Sequence, residues 1–77
     1  MRLTELTADL QALRENLADE LRSINRYEAQ AYSLADERAK EVVQRIADEK
    51  KEHVARLHRL LLELDVKQRE KRDRAAD

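Results

Sequence analysis

The sequence predicts an all-α protein in the form of an antiparallel hairpin of two long helices. The 77 residues include no Gly and no Pro, so the residues that most strongly break helices are missing. Charged residues make up 43% of the chain and hydrophobic residues 42%, a mixture typical of long helices and coiled coils. An apolar repeat at helical spacing runs along the chain and changes phase once, near its middle. The repeat indicates packed helices and the phase change indicates two of them.

The first helix is predicted from about residue 3 to residue 33. Alternating steps of three and four residues reach an almost entirely apolar series, the pattern of a helix packed along one face. The series is Leu3, Leu6, Leu10, Leu13, Leu17, Glu20, Ile24, Tyr27, Ala31 and Leu34. Beyond it the same count reaches only charged residues, so this packed face ends there.

The second helix is predicted from about residue 37 to residue 64. Its apolar face starts in a new phase and comprises Ala39, Val43, Ile46, Lys50, His53, Leu57, Leu60 and Leu64. Ser33 or Asp36 can cap its start, because a short side-chain oxygen accepts a hydrogen bond from an unpaired amide of the first turn. A connection this short makes the two helices antiparallel neighbours. The alternative is a coiled-coil adaptor protein, which would form one long helix without a hairpin.

Residues 66–77 are predicted to form either a short third helix, capped by Asp65, or a disordered charged tail. The segment carries charges of both signs and has little apolar surface to bury beyond Val66, which disfavours a packed element. Residues 1–65 are therefore the predicted folded unit.

Association between copies is expected, because two helices cannot cover each other's apolar faces completely. Two hairpins would do so in a four-helix bundle, so we expect a homodimer or a ring of dimers. The chain has no cysteine, which excludes disulfides and thiolate metal ligands. A formal net charge of −1 gives no reason to expect a nucleic-acid partner, and no apolar run reaches the length of a membrane span. We expect a soluble, cytoplasmic protein.

Three polar side chains interrupt the apolar faces: Glu20, Lys50 and His53. In a hairpin that turns near residue 35 they reach one level, with Tyr27 on the same side. A buried, unpaired charge costs several kcal/mol, so such a layer persists only if its members pair or bind something. Taken singly, each has a structural alternative: Glu20 as a register-setting or edge residue, His53 as a hydrogen-bonded core histidine.

The segments "DELRSINRYEAQ" and "IADEKKEHVARLHRLLLELD" resemble the short two-helix members of the ferritin-like superfamily, in particular the encapsulated ferritins, over about residues 13–65. The resemblance implies a hairpin that dimerises into a ferritin-like four-helix bundle with a di-iron ferroxidase centre at the interface. It implies iron (Fe2+/Fe3+) as cofactor, Glu20 and His53 as catalytic metal ligands, and Tyr27 as a catalytic residue beside them. It also implies an encapsulin shell as partner and a protein nanocompartment as location, although residues 67–77 do not resemble the family's Gly- and Leu-rich targeting tail.

The chain departs from the family pattern at Lys50, which stands where the family has a ligand glutamate three residues before the histidine. An ammonium group has no lone pair to offer a metal. Glu49, four residues before His53, is the substitute ligand that the sequence offers. Two functions follow. One is an iron-binding module with an altered ferroxidase site of Glu20, His53 and Glu49. The other is a metal-free structural or assembly module in which a Glu20–Lys50 ion pair replaces the metal.

Overall fold

The computed structural model describes residues 1–76 and consists of two α-helices, with no strand in that range. Helix α1 spans Leu3–Ser33 and helix α2 spans Glu37–Ala76. Side-chain contacts join early residues of α1 to late residues of α2, including Thr7 with Gln68. The helices are therefore antiparallel, which confirms the predicted all-α hairpin and excludes a single continuous rod.

The connection between the helices is made without glycine. Leu34 leaves the helix with φ −65° and ψ 140°, and its N–H donates to the Gln30 carbonyl at 2.9 Å. Asp36 then starts α2, because its Oδ2 accepts a hydrogen bond of 2.8 Å from the Ala39 N–H, which satisfies an amide of the first turn. Of the two predicted capping residues, Asp36 has this role. The Ser33 hydroxyl instead donates to the Gln30 carbonyl, at 3.2 Å.

The apolar core changes in character along the hairpin. At the open end, Leu6, Leu10 and Leu61 are buried. The half-buried residues packed around this cluster are Leu13, Leu17 and Leu64. Towards the turn, the buried residues are Ile24, Ala31 and Ala47. Truncating a buried leucine typically costs 2–5 kcal/mol, so the open end supplies most of the apolar stabilisation that one chain achieves alone.

Helix α2 does not end at residue 64 as predicted but continues to Ala76. Asp65 is not the cap of a third helix, because it lies inside α2. Its Oδ1 accepts a hydrogen bond of 2.9 Å from Arg14 on α1. Gln68 donates to the Thr7 hydroxyl at 3.1 Å. These polar contacts hold the first turns of the predicted tail against α1, and the absence of Gly and Pro lets the helix run on. The predicted tail also included Asp77, which lies outside the described residues.

The molecule is consequently longer than a hairpin that ends at residue 64. Its extents are 61 × 15 × 14 Å, and the long dimension matches the roughly 60 Å expected of a 40-residue helix at 1.5 Å per residue.

Candidate polar site

A polar layer interrupts the apolar core about halfway along the hairpin, between Leu17 and Ile24 of α1. Glu20 enters this layer from α1, and Lys50 enters it from α2. The Lys50 Nζ donates a hydrogen bond of 3.1 Å to the Glu20 Oε2. The two side chains are only 21% and 24% exposed, so the pair is held in a largely desolvated position between the helices.

His53 lies at the edge of the same layer. Its Nδ1 is 3.8 Å from the Glu20 Oε2, the oxygen that also accepts from Lys50. The His53 side chain is 50% exposed, because it projects from the side of α2 rather than towards α1. The structure therefore brings Glu20, Lys50 and His53 together, with the histidine on an open face of the hairpin.

Tyr27 completes the layer on the side towards the turn. Its half-buried ring lies 5.8 Å from the Lys50 Nζ and 5.3 Å from the Arg26 guanidinium, measured to the ring centroid. Both distances are within the range of a cation–π interaction. Tyr27 thus contacts the ammonium group that pairs with Glu20, and it helps to hold the position of Lys50.

The open face beside His53 forms a shallow groove. The residues that line it are Asn16, Asp19, Glu20, His53, Arg56 and Leu57. The Glu20 carboxylate and the His53 imidazole therefore meet in a groove that another molecule can reach from the open face of a single hairpin. A larger open cleft of about 730 Å³ lies near the turn, on the side of Ala31, Tyr32 and Gln44. It contains none of the residues of the polar layer.

The fourth predicted site residue, Glu49, is exposed and is not gathered with Glu20 and His53. Over residues 1–76, no three His, Asp or Glu side chains come close enough together to hold a metal ion. One chain brings together two possible ligand types, a carboxylate and an imidazole, and places beside them the Lys50 ammonium group, which cannot ligate. Within residues 1–76, the polar layer of one chain thus contains a carboxylate and an imidazole without a third side chain of either kind beside them.

The inward-facing row of α2 agrees with the predicted row at Lys50, which faces α1, but it is displaced by one residue at other positions. Ala47 and Leu61 are buried, whereas Leu60 is 40% exposed and the side chain of His53 half exposed. The sequence also did not predict the ion pair between Lys51 and Glu28, which lies on a different side of α2 from His53. Lys51 donates to Glu28 at 2.9 Å across the helices, and this hydrogen bond raises the pKa of the Lys51 ammonium. A charge pair between two exposed positions has no signature in the apolar repeat.

In the part of the chain that the structure describes, neither helix has a stretch long and apolar enough to cross a membrane. The chain matches no family model, no curated protein and no solved structure in the comparisons. Its function is therefore inferred from the geometry of the hairpin and its polar layer.

Proposed function

We propose that the chain is a self-associating helical module of ferritin-like design. The hairpin is half of a four-helix bundle, and a second copy supplies the other half. Within the polar layer, the Glu20–Lys50 ion pair occupies the position at which the ferritin-like proteins that the sequence resembles hold metal. The observation that carries this proposal is the 3.1 Å contact between the Lys50 Nζ and the Glu20 Oε2 in the middle of the apolar core.

The charge of the layer supports this function. One positive and one negative group cancel within each chain, so the layer can be covered by a partner without an ion to neutralise it. Burying an ion pair costs desolvation energy even when its geometry is good, so a pair at this position contributes less to stability than to the choice of one register. The module would accordingly act by assembling, with its polar layer fixing how the copies align.

The exposed apolar side chains also support self-association. Val42 is 44% exposed and Leu60 is 40% exposed, and by helical geometry they lie on the same side of α2 as His53. Half-buried Leu57, which lies between these two positions along α2, lines the groove beside His53. Apolar side chains left exposed on the side that carries an incompletely covered polar group are typical of a surface that another protein covers.

The mass of the protein in solution tests the proposal. Native mass spectrometry and light scattering should give twice the 9.1 kDa of one chain, or a multiple of that mass, without added metal. Leu60→Glu should shift the equilibrium to monomer, because it places a charge on the surface to be covered. The matched control is Leu62→Glu, because Leu62 is 55% exposed but points to a different side of α2.

A wild-type protein that stays monomeric at concentrations up to about 100 μM would contradict the proposal, because its self-association would then be weaker than that of an ordinary specific complex. So would equal loss of association in Leu60→Glu and Leu62→Glu, because the face beside His53 would then have no special role.

A second candidate function is iron binding between two copies, with the ferroxidase activity that the resemblance implies. The observation that favours it is the 3.8 Å distance between the His53 Nδ1 and the Glu20 Oε2 on the open face. Two copies would present two Glu20 carboxylates and two imidazoles to each other, with Glu49 as a further oxygen donor. Carboxylate oxygens and imidazole suit iron, manganese and zinc, and Tyr27 would stand beside the site.

Native mass spectrometry after loading with Fe(II), Mn(II) or Zn(II) separates the two candidates. The assembly module predicts dimers that carry no more metal than the His53→Ala variant. Iron binding predicts a defined number of ions per dimer that is lost in both His53→Ala and Glu20→Gln. An encapsulating shell remains a proposal from the resemblance, and co-purification with an encapsulin tests it.

A further inference from the structure

The open end of the hairpin has a pocket of about 300 Å³ between the start of α1 and the last turns of α2. A more open pocket of about 380 Å³ lies beside it and shares Met1, Lys71 and Arg74 with it. Together they form one groove, which we call the open-end groove, of a size found in small-molecule binding sites. None of the residues of the polar layer lines this groove.

The floor of the open-end groove is apolar. Leu6 belongs to the buried core cluster at this end of the hairpin, and half-buried Leu64 packs against that cluster. Met1 lines the same pocket and is 71% exposed. An exposed methionine beside packed leucines leaves apolar surface that a flexible apolar chain can cover.

Three basic side chains border this apolar floor. Lys67, Lys71 and Arg74 all line the pocket. At 100° and 1.5 Å per residue they lie within about 60° of one another on α2 and within about 10 Å along its axis. Among the described residues that line the groove, Glu70 is the one acidic residue. The groove therefore combines an apolar floor with an excess of positive charge.

These three basic side chains are unpaired, in contrast to those in the middle of the hairpin. Lys50 and Lys51 each meet a carboxylate of α1. Within residues 1–76, no carboxylate forms an ion pair with Lys67, Lys71 or Arg74. Because Lys71 is also half-buried, its ammonium group lies partly out of water without a counterion, which favours a bound anion there.

The helix dipole explains only part of this pattern. A basic residue in the last turn of a helix interacts favourably with the carbonyl end of the helix, and Arg74 lies in the last turn of α2. Lys67 lies more than two turns before the end at Ala76, beyond the reach of that effect. The position of the basic side chains beside an apolar floor therefore indicates a ligand.

We propose that the open-end groove binds an amphiphilic anion, an alkyl chain that ends in a carboxylate or phosphate group. The alkyl chain covers Met1 and Leu64, and the acidic head group accepts hydrogen bonds from Lys71 and the neighbouring basic side chains. Two sources supply this chemistry: a free fatty acid and an anionic lipid at a membrane surface. The groove lies within one chain, so this inference goes beyond the proposed self-association and does not depend on it.

Octanoate is the probe for this site, and the single methionine of the chain is the reporter. The NMR signal of an isotopically labelled Met1 methyl group should shift with octanoate and saturate with a Kd of about 1 mM or below. Butyrate should bind at least tenfold more weakly, because each buried CH₂ group strengthens binding by up to about fourfold. Inorganic phosphate has the charge without the alkyl chain and should bind more weakly than octanoate.

Lys71→Glu should weaken octanoate binding at least tenfold, because it removes a positive charge and places a carboxylate beside the acidic head group. The matched control is Arg69→Glu, which makes the same change of charge at an exposed position on the opposite side of α2. It should bind octanoate as the wild type does. Circular dichroism checks that both variants keep the helical content of the wild type.

Sedimentation with lipid vesicles separates the two sources of the ligand. Binding to phosphatidylglycerol vesicles but not to phosphatidylcholine vesicles, with loss of binding in Lys71→Glu, would identify a membrane lipid. Binding to octanoate alone would identify a free fatty acid. The proposal would be overturned by no saturable binding to either, by equal binding of phosphate and octanoate, or by equal losses in Lys71→Glu and Arg69→Glu.

Discussion

At the scale of single residues, the Glu20–Lys50 contact decides what the centre of the hairpin can do. Both side chains are less than a quarter exposed, and they meet at 3.1 Å. The Lys50 ammonium also faces the Tyr27 ring at 5.8 Å. Removing either charged partner leaves the other charge with little water and no counterion, which costs more than the intact pair contributes.

We therefore expect Lys50→Met and Glu20→Gln each to lower the free energy of unfolding by about 1–3 kcal/mol. The double variant should cost less than the sum of the two, with a coupling energy of roughly 0.5–3 kcal/mol. Urea denaturation at one fixed protein concentration measures all four proteins. Lys51→Met, at an exposed position, is the control and should cost less than Lys50→Met. Strict additivity of the two single variants would mean that the pair does not interact.

Lys51 gives a prediction about pH. Its hydrogen bond to Glu28, followed by the attraction of the same carboxylate, raises the pKa of its ammonium above the ordinary 10.5. With Glu28 ionised, the pair therefore stabilises the fold fully at pH values below the ordinary pKa of lysine, and this contribution is lost as the pH rises through the raised pKa. The stability difference between wild type and Glu28→Gln should be constant from about pH 7 to about pH 9 and shrink at higher pH. A difference that grows with alkaline pH would contradict this assignment.

At the scale of the helix, the start of α2 depends on Asp36. Its carboxylate accepts the Ala39 N–H at 2.8 Å, and loss of such a cap typically costs about 1 kcal/mol. Asp36→Ala should therefore lower the free energy of unfolding by 0.5–2 kcal/mol, measured by urea denaturation. Asp36→Ser keeps a capping oxygen and should retain most of the stability. Equal losses in the two variants would show that the side-chain cap is not the cause.

The sequence predicts where the helices lie along the chain more closely than how each helix is rotated about its own axis. The apolar repeat predicts both helices and the turn, but α2 has apolar side chains in two adjacent rows, such as Ile46 beside Ala47 and Leu60 beside Leu61. A count in steps of three and four drifts about 20° per heptad from a straight helix, so it cannot select the inward row. The continuation of α2 past residue 64 was missed because polar contacts such as Gln68 with Thr7 leave no trace in an apolar pattern.

At the scale of the whole molecule, the Glu20, Lys50 and His53 layer was predictable because a three-residue turn fixes the level at which the helices meet. The exposure of His53 and the separation of Glu49 from Glu20 were not. Both depend on the rotation of α2 about its own axis. The hairpin alone leaves one side of its polar layer uncovered, with the His53 side chain 50% exposed.

In the proposed dimer, Lys50→Glu should convert the polar layer into a cation site. The change replaces two positive charges by two negative ones and leaves four carboxylates, with no ammonium group, at the level of His53. Carboxylates with imidazole bind divalent transition metals, so we expect at least tenfold tighter binding of Zn(II) or Mn(II) than in wild type, measured by calorimetry. Lys51→Glu makes the same change of charge at an exposed position, and an equal gain there would rule out a specific site.

The connection at Leu34–Asp36 also bears on how chains could become entangled. Over residues 1–76 no residue needs left-handed backbone, and Leu34 departs from helical geometry chiefly in its ψ of 140°. No proline or glycine holds the bend. If Leu34 and Ala35 turned helical, the chain would straighten into a rod whose two arms could clasp those of another opened rod through the same apolar contacts. Such an exchange of helices would preserve the apolar core contacts. A short hinge of this kind therefore allows domain-swapped dimers to form at a low cost in free energy.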